Sequence, residues 1–193
     1  VEIIEKNILE VDLHVFSETS GHPLVVIGNL PYNISSQVLV KLIQFRSHVD
    51  RAILMFQKEL AQRMSSSPGS KDYGRISVML QYCADIRSVV EVNASNFYPK
   101  PRVNSEVVEI IFKSAPVLQA KSEAVLHKVI KASFSKRRKI LKNAVAGSDL
   151  FDTAEQAKII LETVGIDPIR RAETLTVEEF VKLSNAVADP NDE

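Results

Sequence analysis

Two short apolar runs, LVVIG at 24–28 and RAILMFQ at 51–57, each lead straight into a segment of helical period. In SSQVLVKLIQF the apolar Val38, Leu39, Leu42 and Ile43 fall at helical spacing behind a Ser able to cap the first turn. In KELAQRMSS, Leu60, Ala61 and Met64 share one face. Strand then helix, repeated, admits few folds, and the opening VEII has the same continuous apolar character as LVVIG. Such runs are typical of parallel strands covered on both faces. IRSVVEV and EVVEIIF read as two further strands around the proline-stiffened loop NASNFYPKPRVNS. RISVMLQYCA fits either a strand or a helix, because period alone does not resolve a short apolar run. KSAPV then marks a boundary, beyond which the period is helical over 122–134, 136–146, 153–164 and 176–187, with Gly147, Gly165 and Pro168 as stops. The expectation is an α/β domain over 1–115 and a small all-α domain over 116–193, ending in a frayed ADPNDE tail.

Several function classes fall away on composition. Cys83 is the single cysteine, so it forms no internal disulfide; within ISVMLQYCA it reads as a small buried hydrophobe of a reducing, intracellular compartment. His14, His22, His48 and His127 stand apart without Cys or His at ligand spacing, which argues against a metal site. No stretch approaches the ~20 apolar residues of a membrane span, and no signal sequence opens the chain. The chain starts on Val1 in strand-like material, without a methionine, and an upstream part is expected.

Lys plus Arg and Asp plus Glu balance at 24 each, but the charges are unevenly placed. His127 to Lys142 holds seven Lys or Arg and no carboxylate, whereas the last forty-five residues hold eleven Asp or Glu against four Lys or Arg. Concentrated positive charge is the sequence footprint of a surface that tracks phosphates, although a solvated helix face has the same appearance.

Ligands of open α/β sheets bind beyond the carboxyl ends of the strands, which draws attention to NLPYNISS immediately after LVVIG. Asn29 offers a neutral carbonyl acceptor there. Leu30 and Pro31 add backbone carbonyls, the proline without a competing N–H, and Tyr32 adds an aromatic face. Two fixed acceptors and a stacking surface suit a planar ring with an exocyclic amine. The lone pair of such an amine is delocalised into the ring until hydrogen bonds from its two protons turn the nitrogen toward tetrahedral. NFYPKPRVNS places Phe97 and Tyr98 at the end of another strand-like segment, where a second aromatic could clamp the other face of a splayed base; the plainer role of Phe97 is a core residue beside a proline-shaped turn.

VVIGNLPYNISS, MFQKELAQRM…PGSKDYGRISVMLQY, NFYPKPRVNSEVVEIIF and FSKRRKILKNAV occur in that order along nearly the whole chain. Together they resemble the ribosomal RNA adenine dimethyltransferases, above all the bacterial branch that dimethylates two adjacent adenosines near the 3′ end of small-subunit rRNA. The resemblance implies a Rossmann-like S-adenosylmethionine-dependent methyltransferase domain, here N-terminally truncated, followed by a small all-α domain that contacts RNA. It implies N6,N6-dimethyladenosine as product, the assembling small subunit as partner, and a monomeric, cytoplasmic enzyme without a metal. Asn29 and the carbonyl of Leu30 or Pro31 would orient the amine, with Tyr32 and Phe97 sandwiching the base.

For the donor, the resemblance points to Asn7, Ile8, Asn29 and Pro31. Asn7 stands where the family usually carries an Asp, so its hydrogen bond to the donor's adenine amine would lack charge. The family's glycine-rich loop, its ribose-holding acid and two strands between VEII and LVVIG are not in this sequence. The chain therefore reads as the carboxyl-terminal two-thirds of an enzyme that alone binds the donor poorly or not at all. For RNA the candidates are Lys71, Arg75, Lys100, Arg102, Lys136, Arg137, Arg138, Lys139 and Lys142. Antibiotic-resistance methylases of large-subunit rRNA share the NLPYNI-type block, and a non-catalytic ribosome-assembly or transcription factor of the same fold is the reading from a different class.

Overall fold

The computed structural model describes residues 1–136 and 138–188. Arg137 and residues 189–193, most of the ADPNDE tail, lie outside the described residues. The chain divides into two compact units, Val1–Ser65 with Cys83–Ser114, and Ser66–Tyr82 with Ala115–Glu193.

In the first unit, α1 (Leu13–Ser20) precedes β1 (Leu24–Asn29), α2 (Ser35–Gln44), β2 (Val49–Gln57) and α3 (Lys58–Ser65). The chain later re-enters it with β3 (Ala84–Val92) and β4 (Ser105–Phe112). The sheet order is β1-β2-β4-β3; β1 and β2 run parallel, and β4 is antiparallel to both of its neighbours. Alternation explains the core of β2: Ala52, Leu54 and Phe56 point inward at 0% exposure. From α2, Val38, Leu39, Leu42 and Ile43 are all buried, as their spacing predicts.

Three expectations are corrected. VEII forms no strand: Val1, Ile3 and Ile4 are exposed and residues 1–5 carry no sheet pairing, since an apolar segment becomes a strand only when a neighbour satisfies its backbone. β1 is not covered on both faces, because Val25 and Ile27 are exposed on an edge strand paired only with β2. The first turn of α2 is not capped by a serine side chain; Ile34 is the N-cap, and the Ser35 hydroxyl donates instead to the Pro31 carbonyl at 3.2 Å. In addition, α1 was not anticipated from sequence. Asp12 caps it through the His14 N–H, and it brings His14 edge-on to His48 with ring centroids 4.5 Å apart. Among the described residues no group of three potential metal ligands assembles, and no helix is long and apolar enough to cross a membrane.

The second unit contains α4 (Arg75–Cys83, its last residue excepted), α5 (Glu123–Ser133), α6 (Leu141–Val145), α7 (Ala154–Thr163) and α8 (Val177–Val187). RISVMLQYC is thus a helix. Segment 66–82, which the period change at KSAPV leaves with the first domain, clusters with the helical unit instead. Its anchors are visible: Tyr73, 1% exposed, meets Phe134 edge-on, and Phe134 stacks on Phe180 of α8. Gly69 N–H donates to Glu173 O at 2.7 Å, and the Tyr82 hydroxyl accepts from Ala120 N–H at 3.2 Å. Burial, reinforced by the charges of Glu178 and Glu179, pushes the Tyr73 hydroxyl well above the ordinary phenol range.

The helix expected over 136–146 shortens to Leu141–Val145. Lys136 and Arg138 lie in turns before it, so the cations there do not share a helical face with Lys142. Ile140 is the extended N-cap of α6, and α6 buries Leu141, Ala144 and Val145. The apolar triad at 141–145 sets the helix, while the charged run ahead of it has no apolar face to bury.

Candidate active site

The parallel pairing aligns Asn29 at the end of β1 with Met55 of β2. Antiparallel pairing sets Ser105, the first residue of β4, opposite Gln57 at the end of β2 and Val92 at the end of β3. One edge of the sheet therefore collects the turn after β1, the loop between β3 and β4, and the start of β4. This is the carboxyl edge of β1 and β2, where the topology of open sheets places ligands.

A recess of about 240 Å³ opens at this edge. Asn29, Leu30, Pro31, Tyr32 and Phe97 all line it, so every residue placed against the base from sequence shares a single cavity. Met55, Tyr98, Pro99 and Pro101 complete the lining. No carboxylate, imidazole, amine or guanidinium is among them. Such a recess is suited to holding a neutral planar ring, and its lining offers no strong base for removing a proton in advance.

The turn is built to present acceptors. The Pro31 carbonyl accepts from Ile34 N–H at 3.2 Å and from the Ser35 hydroxyl at 3.2 Å, which occupies both of its lone pairs. Ser35 is 1% exposed, so that bond is sheltered from water. The Leu30 carbonyl and the Asn29 side-chain amide have no hydrogen-bond partner among the described residues, and Asn29 is exposed. Of the two carbonyls left open by sequence, Leu30 is the one whose lone pairs are free. Tyr32 is fixed from below, its hydroxyl sharing a 2.7 Å hydrogen bond with Ser105 Oγ, which is fully buried.

The 93–104 loop is pinned by Asn104. Its side-chain oxygen accepts from Ala94 N–H at 3.1 Å, and its backbone carbonyl accepts from Lys58 N–H at 3.0 Å at the start of α3. Ser35, Asn104, Ser105 and Met55 were not among the sequence candidates, and Tyr98 was noted beside Phe97 without being given a role of its own. For the serines and Asn104 no signal in sequence separates a hydroxyl or amide that fixes a loop from one that faces water. Tyr98 did carry a signal, as an aromatic within a proline-framed loop.

The other candidates disperse. Asn7 and Ile8 do not line the recess; Asn7 caps the short 3-10 turn Ile8–Glu10 by accepting from Leu9 N–H at 3.1 Å, and Lys41 Nζ donates to Leu9 O at 2.9 Å. Lys100 and Arg102 are exposed on the loop that carries Phe97, while Lys71 and Arg75 belong to segment 66–82 of the helical unit. Lys136 lines a separate cavity of about 280 Å³ with Lys128 and Lys131 of α5, where Ser148 Oγ is buried without a partner among the described residues. Lys128 and Lys131, which were not named individually from sequence, lie three residues apart on one face of α5. Arg138 and Lys139 are exposed in the turn before α6, and Lys142 is on α6. The Arg137 assignment falls outside the described residues.

A sequence model of the family described as ribosomal RNA adenine dimethylase matches residues 1–189. A ribosomal RNA small subunit methyltransferase A from Desulforapulum autotrophicum is 52% identical over 188 residues, covering 97% of this chain and 65% of that protein. The protein of the same name from Bacillus cytotoxicus is 38% identical over 192 residues, covering 97% and 66%. The chain thus spans just under two thirds of the length of these curated relatives. Among solved structures, a dimethyladenosine transferase from Plasmodium falciparum is similar with a TM-score of 0.74 at 27% identity, covering 94% of this chain and 70% of that one. The 23S rRNA methyltransferase ErmE is similar with a TM-score of 0.64 at 17% identity, covering 96% and 71%, a likeness of fold alone.

Proposed function

The chain belongs to the ribosomal RNA adenine dimethylase family, and from that premise we propose that it carries the base-binding half of an enzyme that dimethylates N6 of adenosines in small-subunit rRNA. The observation that carries the reading is the uncharged recess in which the Asn29 amide and the Leu30 carbonyl stand as free acceptors beside Tyr32 and Phe97. Accepting one proton each from the amine, the Asn29 and Leu30 oxygens draw its lone pair out of conjugation, and the two rings hold the base between them. S-adenosylmethionine, when bound, supplies a methyl group activated by a sulfonium. The nitrogen loses its proton to water only after gaining the methyl, so the lack of a base in the lining is consistent with the chemistry.

Toward that donor, Asn29 and Pro31 occupy the sheet edge, while Asn7, outside the recess, keeps one amide lone pair and its N–H protons beyond the bond it makes to Leu9 and with Ile8 is assigned to the donor's adenosine. Residues 1–6 are exposed and unpaired in a sheet, so the chain alone is expected to hold the donor weakly.

The relatives at 52% and 38% identity are named for the small subunit, which favours that substrate over the large-subunit rRNA of the 17%-identical methylase. The partner in this reading is the assembling small subunit, met in the cytoplasm by a monomer. The test is transfer of labelled methyl groups to undermethylated small subunits, with this chain run beside a protein that contains it at the length of its relatives. Dimethyladenosine from the longer protein is the expected product. No transfer from either would favour the non-catalytic RNA-binding reading, and label in large-subunit rRNA would favour the resistance-methylase alternative.

Lys128, Lys131, Lys136, Arg138, Lys139 and Lys142 are assigned to phosphates of the same RNA. Reversing Lys131 and Arg138 together should weaken RNA binding and flatten the plot of log affinity against log salt by about one unit for each phosphate that is no longer neutralised. An unchanged slope would return both residues to a solvated face.

A further inference from the structure

Tyr98 is the one exposed Phe or Tyr side chain among the described residues, at 102% relative exposure, and it stands on the rim of the recess that Phe97 lines from within. A ring so placed adds nothing to the core. Its backbone is nonetheless held: Pro99 and Pro101 restrict the loop on its carboxyl side, and Asn104 ties the loop to the start of α3. Exposed Lys100 and Arg102 follow it in the same loop, with no ion-pair partner among the described residues. An aromatic face on a stiff loop, interleaved with unpaired cations, is the chemistry of a single-stranded nucleic-acid platform.

The recess has room for a single base. Turning that base out of its strand unstacks its neighbour, whose face then lacks a partner just outside the recess. We propose that Tyr98 is a second base subsite, on which the unpaired base next to the target stacks while Lys100 and Arg102 hold the phosphates around it. The inference rests on the reading above that an RNA base enters the recess. If the substrate carries two adjacent adenosines, one occupies the recess while the other stacks on Tyr98.

A short single-stranded RNA with two adjacent adenosines, and the same RNA made abasic at the neighbour position on each side in turn, tests this by titration against the unaltered chain and its Tyr98→Ala, Tyr98→Phe and Tyr98→Trp variants. Full exposure of the side chain keeps these substitutions from disturbing the fold, which circular dichroism checks. Base–aromatic stacking is worth ~1–3 kcal/mol, so Tyr98→Ala should lower affinity for the intact RNA about tenfold, with Phe and Trp retaining it. One of the abasic RNAs should bind the unaltered chain as weakly as Tyr98→Ala binds intact RNA, and Tyr98→Ala should lose nothing further on it. RNA binding that ignores Tyr98, or a Tyr98→Ala loss of equal size on both abasic RNAs, overturns the subsite alone. If the unaltered chain binds no RNA, the subsite and the proposed substrate fall together. If Tyr98-dependent binding persists while the longer protein transfers no methyl group, only the enzymatic reading falls.

Discussion

Replacing Asn29 by Ala, in a protein that carries this recess at the length of its relatives, is expected to slow methyl transfer to adenine N6 by about 10³-fold while leaving RNA affinity nearly unchanged. Removing one preorganised hydrogen-bonding group from a transition-state site typically costs 10²–10³-fold. The upper end applies because the Pro31 carbonyl, engaged by Ile34 and Ser35, is not available to replace the lost bond. An amine held by the Leu30 carbonyl alone keeps its second proton free to rotate, and its lone pair falls back into the ring. The Asn29 side chain is exposed and makes no hydrogen bond among the described residues, so the loss is not one of folding. Both kcat and kcat/KM should fall together, because the bond matters most as the nitrogen becomes tetrahedral. Asn29→Asp, which retains an acceptor in the same place, should lose less. Single-turnover transfer and RNA titration on the same preparations check the separation. Equal losses in rate and in RNA binding would reduce Asn29 to a docking residue, and an unchanged rate would move the reacting amine elsewhere.

What could be read from sequence follows from which interactions are local. LVVIG, RAILMFQ and EVVEIIF carry their strand character in their own composition, and the turn after LVVIG carries its acceptors in consecutive residues, so both were legible. Phe97 could be placed with Tyr32 because both follow strand-like segments and because the ordered blocks that carry them resemble the adenine dimethyltransferases, which implies the sandwich. The order β1-β2-β4-β3, which brings Ser105 under Tyr32, was not legible, since strand pairing is a long-range choice. VEII shows the converse: a short apolar-rich segment specifies a strand only if another strand is there to pair with. The basic segment failed for a related reason. Helical spacing of charges at 136–142 has no energetic consequence unless an apolar face is buried, and burial begins only at Leu141. Segment 66–82 reads as a loop and an unresolved strand or helix of the first domain until Tyr73 is seen packed on Phe134.

Arg170→Ala should produce the largest loss of stability outside the apolar core, about 3 kcal/mol in the helical unit. The Arg170 guanidinium grips Glu179 through two bonds, at 2.5 and 3.0 Å, and donates to Thr174 O at 2.6 Å. Its own backbone carbonyl accepts from Leu141 N–H at 2.7 Å, at the first turn of α6. Glu179 also closes the capping box of α8, accepting from Thr176 N–H at 2.8 Å while its own N–H donates to Thr176 Oγ1 at 3.2 Å. Both charged side chains are mostly shielded, at 31% and 22% exposure, so the pair is worth more than a surface ion pair and removing one partner strands the other. Burial by itself would raise the Glu179 carboxyl. The hydrogen bonds from Arg170 and Thr176, with the charges of Arg170 and Lys182, outweigh it and hold the group below its ordinary value of 4.5. The unfolded chain therefore takes up this proton first as the pH falls. The stabilisation is fully present above about pH 4.5, the ordinary value, and is lost as the pH drops through the lower value of the folded state. Urea unfolding of the chain at neutral pH and at a pH well below 4.5, with Arg170→Ala and Glu179→Gln beside it, separates the contributions. The gap between the unaltered chain and Glu179→Gln should narrow in acid, and a gap independent of pH would mean that Glu179 acts through its cap on α8 alone.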